Sequence, residues 1–234
     1  MRVHVYPTRR SARGKRNKRF QVTSEIQAKL NEKNAFHRMA DLFHTNFTAD
    51  DLAVTFSYSD NDMPATVNDA QRNIQNYLRR VKRRCKSEMK YIYITEQARS
   101  GRIHHHIVIS GGNFTRDELE AMWKFGYCNS RRLQFNENGL EGLAKYFVKS
   151  PTKKEDGKII RHWNSSKNLK QPKVRTNDYR ISKKTAKHIN DYPNDREYIE
   201  ALYPGYRLAR CESAEYAAGI FITIYLYKFV QKRR

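Results

Sequence analysis

The stretch EQARSGRIHHHIVIS, running from Glu96 to Ser110, decides how this chain is read. The run YIYIT (Tyr91 to Thr95) precedes it and IVIS closes it, and both have the β-branched and aromatic composition that strands favour. A turn at Arg99-Ser100-Gly101 folds the two runs into a hairpin, with Gly101 supplying the left-handed position such turns often need. Side chains alternate along a strand, so His104 and His106 share one face and His105 takes the other. In that register Glu96 stands directly opposite His104, on the face of His106. Two imidazoles and a carboxylate grouped this way are ligands for a divalent cation. The plain alternative is an ordinary exposed run of histidines; the opposed glutamate and the apolar strands that would hold it speak against that.

The composition supplies something for a cation to act on. The 234 residues hold 46 Lys and Arg against 24 Asp and Glu, a formal net charge of +22. With a pI near 10.0, that imbalance is the electrostatic footprint of a protein that meets nucleic acid, more than one that rests on a membrane surface. Only 38% of residues are hydrophobic, yet 11 Phe and 15 Tyr suffice for a core. Cys85, Cys128 and Cys211 lie far apart with no CxxC pair, which excludes a disulfide framework or zinc ribbon and suits a reducing bacterial cytoplasm. The first twenty residues are basic and not apolar, unlike a signal peptide. The most apolar run, Ala217 to Val230, is shorter than the ~20 residues a spanning helix needs and alternates like a buried strand. No membrane partner is expected.

Along the chain, residues 1–22 form a basic, flexible arm with Arg9, Arg10, Arg13, Lys15, Arg16, Lys18 and Arg19. Residues 23–48 read as an accessory helix capped by Ser24, which Asn34 and a Lys-rich middle are expected to break in two. The core is placed at 49–150. Leu52 to Tyr58 is a strand, and Thr66 to Ser87 a long helix with Ile74, Tyr77, Leu78 and Val81 inward. Its other face carries Arg72, Arg79, Arg80, Lys82, Arg83 and Arg84. After the hairpin, Thr115 and Glu118 form a capping box for a helix holding Leu119, Met122, Trp123 and Phe125, stopped by Gly126. Asn129 to Phe135 is an edge strand.

Leu140 to Ser150 is the second decisive stretch. Leu140, Leu143, Ala144 and Phe147 make one helical stripe, Tyr146 falls off it, and Lys149 is a surface neighbour of Tyr146. A phenol with a pKa near 10 needs positive charge beside it to become a phosphate-attacking phenolate. Taken alone, Tyr146 is equally one of 15 tyrosines flanking a core.

Strand, basic helix, His-x-His hairpin, helix, strand and a helix with Tyr-x-x-Lys, in that order, resemble the HUH endonuclease superfamily, and with one tyrosine its single-tyrosine rolling-circle replication initiators of phage and plasmid type. Leu52-Ala-Val-Thr-Phe-Ser-Tyr58, His104-His105-His106 and Tyr146-Phe147-Val148-Lys149 are the three matching motifs. The middle residue, His105, departs from the apolar residue of the pattern. The resemblance implies an α+β fold, a central antiparallel sheet with flanking helices of the RRM/ferredoxin-like kind, expected here on one side of the sheet. It implies Mg²⁺ or Mn²⁺ on Glu96, His104 and His106, and Tyr146 as nucleophile with Lys149 beside it. The activity implied is nicking and rejoining of single-stranded or hairpin origin DNA through a 5′-phosphotyrosine. No GxxxxGK[ST] loop occurs, so a host helicase and polymerase are the expected partners. Candidate DNA contacts are Arg79, Arg80, Arg83, Arg102, Arg131, Arg132, Lys145 and Lys167, with Trp163 as a base stack or a packing anchor. Residues 151–234 are expected to add strands, near 206–211 and 219–227, that extend or back the catalytic sheet. Three other readings stay open: a non-catalytic nucleic-acid-binding module, a transposase or relaxase with the same core, and a zinc hydrolase on the two His and one Glu.

Overall fold

The period-two runs around the histidines become strands of one sheet in the computed structural model, which describes residues 1–7, 24–85, 87–98, 100–110, 114–148, 163–216 and 219–228. The elements in chain order are β1 (Arg2–Val5), α1 (Ser24–Asn46), β2 (Leu52–Ser57), α2 (Val67–Arg84), β3 (Tyr91–Gln97), β4 (Ile103–Ile109) and α3 (Arg116–Ala121). They continue with β5 (Cys128–Arg132), α4 (Glu141–Val148), β6 (Trp163–Ser165), α5 (Lys183–Asp191), α6 (Arg196–Leu202), β7 (Arg207–Tyr216) and β8 (Gly219–Tyr227). Two compact units emerge, one within residues 23–135 and 140–172, the other within 1–22, 136–139 and 173–234.

The first unit is built on a five-stranded antiparallel sheet of order β5-β2-β4-β3-β6. Alternation gives this sheet two apolar faces. Leu52, Val54, Phe56, Tyr93, Ile103, Ile107 and Ile109 face α2 and α3, which contribute Ala70, Ile74, Tyr77, Leu78, Val81 and Leu119. Ile92, Ile94 and Val108 point the other way, against Met39, Leu42 and Phe43 of α1 and Ala144 and Phe147 of α4. Helices therefore cover both faces, not one as expected, because both strand periods carry large apolar side chains that water would otherwise meet.

Two sequence expectations about helices are corrected here. α1 is a single helix of 23 residues. Asn34 is exposed on it, and an asparagine costs a helix well under ~1 kcal/mol, less than the packed stripe returns. The helix after Thr115 has its capping box but ends at Ala121, before Trp123 and Phe125. Gly126 has another duty: with φ 144°, a Cβ there would sit 2.5 Å from the Ser59 nitrogen and 2.8 Å from the Ser57 oxygen. Only glycine lets those two backbones approach so closely.

The second unit is a three-stranded antiparallel sheet of order β1-β8-β7. Leu208, Ile222, Ile224 and Leu226 pack there with Ile189 of α5 and Ile199 of α6. The late strands thus form a sheet of their own and do not extend the five-stranded one. Their partner β1 comes from the start of the segment read as a flexible arm; the arginines and lysines of that arm, 9–19, lie outside the described residues. No helix among the described residues is long and apolar enough to cross a membrane.

Candidate active site

Antiparallel pairing of β3 with β4 puts Glu96 opposite His104 and Thr95 opposite His105, across a turn where Gly101 has φ 83°. The alternation then sorts the three histidines. His105 is fully buried on the α2 face, its Nε2 2.9 Å from the Tyr58 hydroxyl and its Nδ1 2.9 Å from Thr95 Oγ1. His104 and His106 lie half-buried on the α4 face, with Glu96 exposed beside them.

α4 delivers the tyrosine to that face. Its stripe of Leu140, Ala144 and Phe147 is buried, and Phe147 meets Phe43 of α1 edge-on at 5.2 Å. Tyr146, next to Phe147 on the helix, is turned to the strands and keeps 38% of its surface exposed. Its hydroxyl donates to Glu96 Oε2 at 2.7 Å and lies 2.7 Å from His106 Nε2. The two rings stand almost perpendicular, centroids 4.8 Å apart. With the phenol proton given to Glu96, His106 donates from Nε2 to the phenol oxygen, and its Nδ1, 3.2 Å from Thr55 Oγ1, accepts from that hydroxyl. Thr55 is a site residue that sequence reasoning did not single out, though it is one of the alternating hydroxyls of the strand at 52–58.

The electrostatics keep the phenol protonated. Burial raises the Tyr146 pKa most, and the hydrogen bond and negative charge of Glu96 raise it further. Burial also lowers His106, partly offset by Glu96, while the charges of His104 and Arg131 add to the lowering. A phenol on an exposed helix face, hydrogen-bonded to a carboxylate and an imidazole, is a poised nucleophile whose proton already has an acceptor.

Residues 51–154 match a family model for replication-associated proteins of the ORF2 type. The matched region contains Glu96, the three histidines and Tyr146, and it supports a replication initiator, a protein that works on DNA during replication. No curated protein and no solved structure gives a match.

The candidate DNA contacts divide by how the fold uses them. Arg79 and Arg83 are exposed on α2, Arg131 and Arg132 on the edge strand β5, Lys145 on α4, and Lys167 just after β6. Arg131 is close enough to act on His106. Two others serve the fold. Arg80 turns inward to the Met122 carbonyl at 3.1 Å, and Arg102 pairs with Asp60 and donates to the Tyr58 carbonyl at 2.7 Å. Arg132 also donates to the Asp50 carbonyl. Trp163 is half-buried against the α1 and α4 core, opposite Ile94. Lys149 lies outside the described residues.

As to a cation, two imidazoles and a carboxylate are the right donors in kind for Mg²⁺ or Mn²⁺. Among the described residues no three His, Cys, Asp or Glu side chains converge as ligands would. His106 Nε2 and Glu96 Oε2 are 3.7 Å apart, and the Tyr146 hydroxyl bonds to both.

Proposed function

We propose that this chain nicks and rejoins single-stranded origin DNA through Tyr146 to start rolling-circle replication, as an HUH-type endonuclease. The observation that carries the proposal is the Tyr146 hydroxyl, 2.7 Å from both Glu96 Oε2 and His106 Nε2. The Tyr146 oxygen attacks the scissile phosphorus while its proton passes to Glu96. The phenol O–P bond forms, the P–O3′ bond breaks, and the 3′ oxygen takes up a proton to leave as a hydroxyl that can prime synthesis. The 5′-phosphotyrosine keeps the energy of the phosphodiester, so a later 3′-hydroxyl can reverse the step and reseal the strand. Glu96, His104 and His106 would hold Mg²⁺ or Mn²⁺, which supplies charge stabilisation at the non-bridging phosphate oxygens. Thr55 orients His106, and Arg131 adds positive charge on the same side.

The test is incubation of the full chain with a library of single-stranded oligonucleotides and Mn²⁺, scored for covalent adducts. Wild type is expected to form an adduct that Tyr146→Phe cannot, with DNA binding retained. A wild type that binds DNA and forms no adduct overturns the nickase and leaves a binding module. An adduct that persists in Tyr146→Phe reassigns the nucleophile.

A further inference from the structure

The basic helix α2 has a use that the Tyr146 site does not absorb. Gln75, Leu78, Arg79 and Lys82 fall at i, i+3, i+4 and i+7, so they share one flank of the helix. That flank meets the edge of the sheet at β3 and β6. Together with Tyr91, Tyr93, Asn164 and Ser165 these residues line a pocket of about 390 Å³. The volume lies in the ~300–1,000 Å³ range of small-ligand sites. Tyr91 and Tyr93 are both on the His105 face of β3, the face opposite Tyr146, because they alternate with Ile92, Ile94 and Glu96.

The lining has the chemistry of a nucleotide site. Arg79 and Lys82 are exposed cations with no carboxylate partner among the described residues; Arg79 holds only the Asn76 amide, at 2.7 Å. The Tyr91 and Tyr93 rings lie 6.2 Å apart and offer a half-buried aromatic edge. Gln75 and Asn164 add amides, donor and acceptor together, able to meet a base edge. The strand at this edge, β6, is only three residues long.

We infer that this pocket is a second DNA subsite, taking a nucleotide of the single strand that flanks the nick, with Arg79 and Lys82 on its phosphates and Tyr91 against its base. The occupant is set by charge complementarity: two exposed cations beside aromatic rings, in a chain of net charge +22, match a single-stranded polyanion whose bases are free to stack. The inference rests on the DNA reading above but not on the nicking chemistry. A strand engaged by Tyr146 on one face then passes the short β6 edge to the other, which makes the length of DNA beyond the nick a determinant of affinity.

The experiment measures binding of the full chain to a ~20-nucleotide single strand in chelator, so that no cleavage occurs, across a salt series. Arg79→Ala with Lys82→Ala is expected to weaken binding at least ~10-fold and to flatten the log–log salt slope by ~1.4, since each phosphate contact on single-stranded DNA contributes ~0.7. Tyr91→Leu is expected to weaken binding at an unchanged slope, and Tyr91→Phe to restore it. Wild-type affinity and slope in the Arg79/Lys82 double variant overturn the subsite. So does an equal loss from Lys183→Ala with Lys184→Ala, two exposed cations of α5, because the effect is then only bulk charge. Absence of covalent adduct in Mn²⁺ by wild type would sink the nickase while leaving this binding comparison to be decided on its own.

Discussion

Replacing His105 by leucine should make the stability of this protein less dependent on pH. The imidazole is 0% exposed, bonded at 2.9 Å to both Tyr58 and Thr95. Its pKa is pushed down to about 3, chiefly by burial and then by the charges of His106 and His104. In the unfolded chain it returns to ~6.5. The folded value lies below the unfolded one, so unfolding takes up a proton, and the neutral ring's contribution is complete above pH ~6.5 and lost as pH falls toward 3. At pH 5 the unfolded chain gains about 2 kcal/mol from protonating this one ring, a figure that depends only on the folded pKa lying well below 5. Leucine has no such dependence. It forfeits two hydrogen bonds and leaves the Tyr58 hydroxyl with a 3.4 Å contact to the Ala70 carbonyl, a cost of ~1–3 kcal/mol at pH 7.5. The variant should therefore be less stable than wild type by that amount at pH 7.5, and the gap should shrink by ~2 kcal/mol at pH 5. Denaturant unfolding of both proteins at the two pH values, in chelator, measures it. A gap that is the same at both pH values would refute the reasoning, because it would mean that His105 can protonate in the folded protein.

Three further outcomes follow from the packing around the site. Gly126→Ala should destabilise by at least ~1 kcal/mol, since its Cβ would collide with backbone at Ser59 and Ser57, which cannot swing aside; an unchanged denaturation midpoint would show the loop is free to move. Phe147→Ala removes the buried ring on Phe43 and should cost ~3–5 kcal/mol, with slower adduct formation because α4 carries Tyr146. Thr115→Ala breaks the capping box of α3 and should cost ~1 kcal/mol in the same unfolding assay, with adduct formation at the wild-type rate.

Binary periodicity makes much of the core legible in the sequence itself. Period two in 91–97 and 103–109 implies the hairpin, and with a turn at 99–101 it also implies Glu96 opposite His104. Period 3.6 in 67–84 and 141–148 implies α2 and α4 with their buried stripes. These are local facts, decided by backbone geometry and the segregation of apolar side chains. The missed elements, β1, β6, α5 and α6, are short, and strands of three or four residues carry too few alternations to register.

What the chain could not disclose is what its parts meet. The alternation placed His105 on the opposite face to its neighbours, but only the folded sheet supplied Tyr58 and Thr95 as its partners and so made it a buried neutral ring. The sequence displayed Tyr146 off the apolar stripe; the packing of Phe147 on Phe43, remote in the chain, is what turns the phenol onto Glu96 and His106. Likewise Arg79 and Arg80 read alike on the helix, yet one is exposed beside a pocket and the other is drawn inward to a carbonyl. Contacts between distant segments depend on the three-dimensional sum of packing and loop closure, which no window of residues contains, whereas alternation and helical spacing are written in every window.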